Sequence, residues 1–219
     1  MENKRLNLDD PEVWNKWRSL YRDLTHEENQ EFGRDINARF PTQDHASYDN
    51  FDLLFRRYPE ANVFEIGGWK GHLAQRCLKV FNIMNWLNIE YCQAAAAESV
   101  VKDPRFSVVC PDKFDWFKDL RTPTWDEGER RWEENTVCIA AHVIEHLIDE
   151  DLEVLIRYIT GIPVVMFEAP IDMGESDWTN YGGTHILKMG WGGVNRLMKQ
   201  AGYNNEMINR YCFLYTLET

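Results

Sequence analysis

Residues 63–74 read Val63-Phe64-Glu65-Ile66-Gly67-Gly68-Trp69-Lys70-Gly71-His72-Leu73-Ala74. A hydrophobic strand ending in an acid, a glycine turn and the first turn of a helix follow one another there. A glycine loop between a strand and a helix lets backbone N–H groups approach a ligand closely, because no Cβ stands in the way. The spacing narrows the choice of ligand. Glu65, Gly67 and Gly71 form an acid-x-Gly-x-x-x-Gly pattern. A dinucleotide fingerprint needs Gly-x-Gly-x-x-Gly and a P-loop ends in Gly-Lys-Ser/Thr, and neither occurs here.

Downstream, Ile83 to Ile89 reads as a short apolar strand that stops at Glu90, 23 residues after Gly67. An acid at the tip of the second strand of an open α/β sheet faces the crevice that the glycine loop borders, and it can accept two hydrogen bonds from a ribose diol. A nucleoside ligand is the expectation. A further apolar strand, Thr136 to Ala141, runs into Val143-Ile144-Glu145-His146-Leu147. With these landmarks the chain, from about Ala61 onward, resembles the class I S-adenosylmethionine-dependent methyltransferases, and among them the small-molecule branch.

The order of elements agrees with that resemblance. His72 to Lys79 has helical character, Arg105 to Cys110 reads as a third strand, and Asp149 to Thr160 carries Leu152, Leu155, Ile156 and Ile159 at helical spacing. Gly161-Ile162-Pro163 breaks that helix, Val164 to Phe167 follows as a buried strand, Trp191 to Ala201 reads as a helix stopped by Gly202, and Arg210 to Leu217 is a last strand. Alternating strands and helices predict an α/β fold with a mostly parallel sheet covered on both faces. The resemblance adds that the sheet is Rossmann-like and seven-stranded, with an antiparallel last strand. Ahead of it, Asp10-Pro11-Glu12 opens a helix through Leu24, and Ser47 to Arg57 forms another with Phe51, Leu54, Phe55 and Tyr58 toward the sheet. Residues 1–60 are therefore expected to be a helical cap on the same domain as the α/β part, 61–219. Such helices either lie over the substrate side or cover a sheet edge or core face.

Composition limits the classes of function. With 219 residues and 44% hydrophobic content, one domain with a sizeable core is expected. The net charge of −12 argues against general affinity for nucleic acid. The five cysteines are widely spaced, with no Cys-x-x-Cys pair, and read as free thiols of a reducing compartment. No stretch approaches a membrane span and the polar N-terminus lacks a signal-peptide core, so a cytoplasmic chain, monomeric or homodimeric, is expected.

The resemblance implies a set of site residues. Gly67, Gly68 and Gly71 pass under the methionine and ribose parts of S-adenosylmethionine, and Glu65 holds the loop and reaches the methionine ammonium directly or through water. Trp69 stands where most members have a glycine; it is accommodated if φ stays negative and the ring points away, and otherwise fills the site. Glu90 binds both ribose hydroxyls. Asp112 accepts from the adenine amine, the Lys113 N–H meets a ring nitrogen and Phe114 lies against the base. Ala140, Ala141 and His142 line the floor between cofactor and acceptor. Plainer readings exist: a strand-to-helix turn for the glycines, an exposed strand end for Glu90, a turn residue for Asp112. The Ala140-Ala141-His142-Val143 stretch lacks the Asn/Asp-Pro-Pro-Tyr motif of amino-methyltransferases of nucleic-acid bases or glutamine, and no acidic set suits a metal-dependent catechol-type site. No metal is expected.

Methyl transfer from a sulfonium to a hydroxyl depends on alignment in a water-poor pocket, and the hydroxyl must also lose a proton, which a neutral histidine can take. His142, just past the fourth strand, and His185, in a Gly183-Thr184-His185 stretch similar to one in quinone-pathway O-methyltransferases, are the candidate bases. His146, on the first turn of a helix, reads as a structural residue that packs or hydrogen-bonds a neighbouring loop, and Glu168 either orients a histidine or substrate hydroxyl or caps a loop. The expected function is methyl transfer to a small-molecule acceptor at oxygen, leaving S-adenosylhomocysteine. The alternatives are a noncatalytic cofactor-binding subunit, suggested by Trp69, and an NAD-dependent oxidoreductase, opposed by the loop spacing.

Overall fold

The computed structural model describes residues 25–39, 48–112, 132–171 and 187–218. The expected helix 10–24, Lys113, Phe114 and His185 lie outside the described residues. Among the described residues the elements run α1 (His26–Arg39), α2 (Tyr48–Arg57), β1 (Asn62–Ile66), α3 (His72–Val80), β2 (Asn85–Ile89), α4 (Gln93–Ala97), β3 (Phe106–Val109), β4 (Thr136–Ala141), α5 (Asp149–Ile159), β5 (Val164–Glu168), α6 (Trp191–Gln200), β6 (Tyr203–Asn209) and β7 (Cys212–Leu217). The seven strands form one sheet in the order β3-β2-β1-β4-β5-β7-β6. β1 through β5 run parallel to one another, and β7 runs antiparallel to both of its neighbours, β5 and β6.

Alternation along the strands divides the core into two. Phe64 and Ile66 of β1, Cys138 and Ala140 of β4, and Val165 and Phe167 of β5 pack with Leu152, Leu155, Ile156 and Ile159 of α5 and with Trp191 and Val194 of α6. The intervening residues Val63, Val137, Ile139, Val164 and Met166 face the other way, with Trp86, against Phe51, Leu54 and Phe55 of α2 and Leu73, Ala74 and Cys77 of α3. A sheet buried on both faces is why the central strands read as nearly continuous apolar runs. The helix expected at 47–57 is thus a core layer.

Six strands are visible as hydrophobic runs, and the seventh, β6, is not. Its residues Tyr203-Asn204-Asn205-Glu206-Met207-Ile208-Asn209 are mostly exposed, as befits an edge strand paired on one side with β7. Helix α1 also lacks an apolar stripe. It begins at a reciprocal capping box: the Glu28 N–H donates to Thr25 Oγ1 at 3.3 Å and the Thr25 N–H to Glu28 Oε2 at 2.9 Å.

β1 and β4 are adjacent at the centre, with β2 on one side and β5 on the other. The chain order reverses direction between them, which opens a crevice beyond their carboxyl ends. The glycine loop leaves β1 at that point and His142 leaves β4 beside it.

Candidate active site at the β1–β4 crevice

The glycine loop is tied to the tip of β2. The Gly67 N–H donates to the Ile89 carbonyl at 2.8 Å, the Gly68 N–H to Asn88 Oδ1 at 2.9 Å, and the Trp69 N–H to Glu90 Oε2 at 2.7 Å. The chain then turns through a Gly71 N–H to Gly68 carbonyl bond of 2.8 Å into α3. Gly68 has no room for a side chain: a Cβ there would lie 2.2 Å from Glu65 Oε2. Glu65 is 3% exposed beneath the loop and accepts the Trp86 indole N–H at 2.7 Å. The buried ammonium of Lys70 pairs with Glu98 at 2.8 Å.

Trp69 departs from expectation. Its φ is +50°, in the left-handed region rather than negative. That conformation costs roughly 1–2 kcal/mol for a residue with a Cβ. The Asn88 and Glu90 acceptors hold the amides on either side of the Gly68–Trp69 junction and supply the compensating bonds. A glycine at this place would carry no such cost, which accounts for the more usual residue.

Glu90 is buried, which excludes the reading of an exposed strand end. Its two oxygens are each engaged once: Oε2 by the Trp69 N–H and Oε1 by the Cys92 N–H, both at 2.7 Å. Each keeps further acceptor capacity, because a carboxylate has about four lone-pair sites. Burial pushes the carboxyl up to about 7, against the opposing pull of the Cys92 and Trp69 amides. Asp112 lies exposed beyond β3.

Across the crevice, Ala140 is buried and Ala141 half-buried at the end of β4. His142 follows with φ +56°, with Trp69 the second non-glycine residue of the site in the left-handed region. Its N–H donates to the Glu168 carbonyl at 2.7 Å. Its imidazole stands between two carboxylates, with Nδ1 3.3 Å from Glu145 Oε1 and Nε2 3.8 Å from Glu168 Oε1. Glu145, wholly buried on the 3-10 turn Ile144–His146, also lies 4.0 Å from His146 Nε2. Burial pushes the Glu145 carboxyl up, but the adjacent His142 and His146 rings outweigh it and hold it below its ordinary value. His146 therefore stands on a 3-10 turn, with Glu145 in range of its ring, rather than on the first turn of an α-helix.

Glu168 is anchored from behind. Its Oε2 accepts from Asn50 Nδ2 of α2 at 2.6 Å, and Asn50 Oδ1 accepts from Asn209 Nδ2 of β6 at 2.9 Å. Asn50, Asn88, Glu145 and Asn209 are members of this site that the sequence reading did not single out. Asn88 had a signal, a lone amide within the apolar run Trp86-Leu87-Asn88-Ile89. Asn50 and Asn209 had none, since their partners are distant in the chain. Val143 lies directly over Gly67 and joins the two halves of the crevice.

Among the described residues, no group of three or more His, Cys, Asp or Glu side chains is placed to hold a metal ion, and no helix is long and apolar enough to cross a membrane.

This architecture is the class I methyltransferase fold. The chain matches human N-acetylserotonin methyltransferase, solved in complex with S-adenosylmethionine, with a TM-score of 0.59 at 12% identity over 97% of this chain and 66% of that one. It matches the methyltransferase domain of bacterial CtHen1 with a TM-score of 0.57 at 12% identity, covering 78% of this chain and 97% of that one. Magnesium protoporphyrin IX methyltransferase from Synechocystis PCC 6803, solved with bound S-adenosylhomocysteine, gives 0.54 at 10% identity over 94% and 95%. At such identities the likeness lies in the fold. No protein-family model and no curated protein sequence matches this chain.

Proposed function

We propose that this chain is an S-adenosylmethionine-dependent methyltransferase acting on the hydroxyl of a small-molecule acceptor. The observation that supports it most is Glu90: a buried carboxylate at the tip of β2, with one backbone donor on each oxygen and acceptor capacity left on both. A ribose diol supplies the two donors such a group lacks. Gly67, Gly68 and Gly71 carry the loop under the sugar and amino-acid parts, with Gly68 as the place where backbone alone fits. Glu65 acts from beneath the loop on the ammonium group, directly or through water. Asp112, Lys113 and Phe114 complete the adenine side, and Ala140 and Ala141 form the floor.

When bound, the sulfonium supplies the methyl group and departs as a neutral thioether. The chain's own part is to align the acceptor and take its proton. His142 does so at Nε2, its other nitrogen being turned to Glu145. The acceptor O–H bond breaks as its oxygen forms the new bond to carbon. Both flanking carboxylates favour the imidazolium that results, as opposite charges within about 4–6 Å do. His185 is a second candidate for this proton. Free cysteines throughout the described residues suit a reducing cytoplasm.

The test pairs binding with turnover. Calorimetry with S-adenosylhomocysteine is expected to show one site per chain, and a panel of hydroxylated acceptors to yield S-adenosylhomocysteine from the donor. His142→Ala is expected to lower turnover about 100-fold or more while leaving product affinity within twofold. Binding without turnover on any acceptor supports a noncatalytic subunit instead. Absence of binding by the wild-type chain overturns the reading.

A further inference from the structure

Helix α1 docks on the segment that follows Glu90 through one side-chain amide that both donates and accepts. The side chain of Gln30 is 5% exposed. Its Nε2 donates to the Tyr91 carbonyl at 2.8 Å, and its Oε1 accepts the Gln93 N–H at 3.0 Å. These bonds bracket Cys92, whose N–H donates to Glu90 Oε1 at 2.7 Å. Two further contacts fix the docking. The His26 ring meets the Tyr91 ring edge-on at 5.9 Å. Gly33 lies so close over Cys92 that a Cβ would sit 2.9 Å from its sulfur.

We infer that Gln30 is a positioning residue for the nucleoside site: by holding the backbone on both sides of Cys92, it fixes the amide that orients the Glu90 carboxylate toward the sugar. The inference rests on the reading of Glu90 given above. Its physical basis is geometric. Residues 90–92 connect β2 to the short helix α4, which opens at Gln93, and a connecting loop without tertiary anchors samples many backbone states. An amide that meets one carbonyl and one N–H two residues apart admits few of them. Glu90 then presents its remaining lone pairs in one direction before any ligand arrives, and binding does not have to order the loop. The N-terminal cap is on this account a part of the sugar-binding wall, contributed from more than 50 residues upstream of it.

Gln30→Met keeps length and volume but removes both hydrogen bonds, and Gln30→Ala leaves room for water, so a folding defect in one variant does not remove the other. In ligand-free protein, amide exchange at Cys92 and Gln93 is expected to accelerate at least tenfold in both variants, with exchange in β1 and β4 unchanged. S-adenosylhomocysteine affinity is expected to fall about tenfold. The KM for the donor is expected to rise by a similar factor while kcat at saturation stays within twofold, a split that a general loss of stability does not produce. Unchanged exchange at residues 92 and 93, or accelerated exchange with unchanged affinity, overturns the inference alone. A wild-type chain that binds no S-adenosylhomocysteine overturns it together with the reading beneath it.

Discussion

Glu90 joins deep burial to a value near 7, and this gives it a measurable signature. In the ligand-free chain its folded value lies above the ordinary 4.5, so its contribution to stability is full below about 4.5 and is lost as pH rises through about 7. The difference corresponds to something on the order of 3 kcal/mol. Ligand binding has the opposite sense. If a ribose diol binds here as proposed, only the ionised carboxylate can accept from both hydroxyls while keeping its two amide donors, so affinity for S-adenosylhomocysteine is expected to rise between pH 6 and pH 8. Binding below about pH 7 should release a proton, read as a difference in apparent enthalpy between buffers of unlike ionisation heat. Glu90→Gln is expected to abolish the release and to weaken binding by about 1–3 kcal/mol, since its NH2 faces one of the two amide donors.

At the scale of elements, the strand–loop–helix unit β1–α3 depends on space as much as on hydrogen bonds. Gly68→Ala is expected to lower stability by about 1–3 kcal/mol, because its methyl group would meet the Glu65 carboxylate and lift the loop from Asn88. A denaturant midpoint that falls with an unchanged slope checks this. The same unit was the most legible in the sequence, because its pattern is local: an apolar run, glycines at fixed spacing, a helix start. β4 agrees end to end with its apolar run at Thr136–Ala141. β6 escaped because an edge strand has little to bury. Helix α1 escaped because it has no apolar stripe, although Thr25 and Glu28 stood at capping-box spacing. Site residues divide in the same way. Glu90 and the glycines follow from spacing within 23 residues, whereas the Asn50–Glu168 bond spans 118 positions and leaves no trace in any window.

For the molecule as a whole, sheet order dictates how protection from solvent is distributed. β1, β4 and β5 each have a strand on both sides and helices over their faces, while β3 and β6 border the sheet. Native-state amide exchange is expected to be slowest in β1, β4 and β5 and faster by orders of magnitude in β6, whose exposed face includes Met207. Uniform protection across the seven strands would contradict this architecture. The parallel half with its crevice followed from alternating elements and the antiparallel last strand from the resemblance, whereas the insertion of β7 between β5 and β6 was not anticipated, since chain order alone does not state which neighbour a strand takes.

That insertion has a consequence for synthesis. As the nascent chain leaves the ribosome, β6 emerges before the strand that must lie between it and β5, so neither has its partner. Until Cys212–Leu217 arrives, the Val164–Glu168 backbone presents an unpaired edge of apolar residues, the kind of surface that chaperones shield and that aggregation exploits. The last strand thus acts as a wedge that closes the exposed edge of Val164–Glu168 when it arrives.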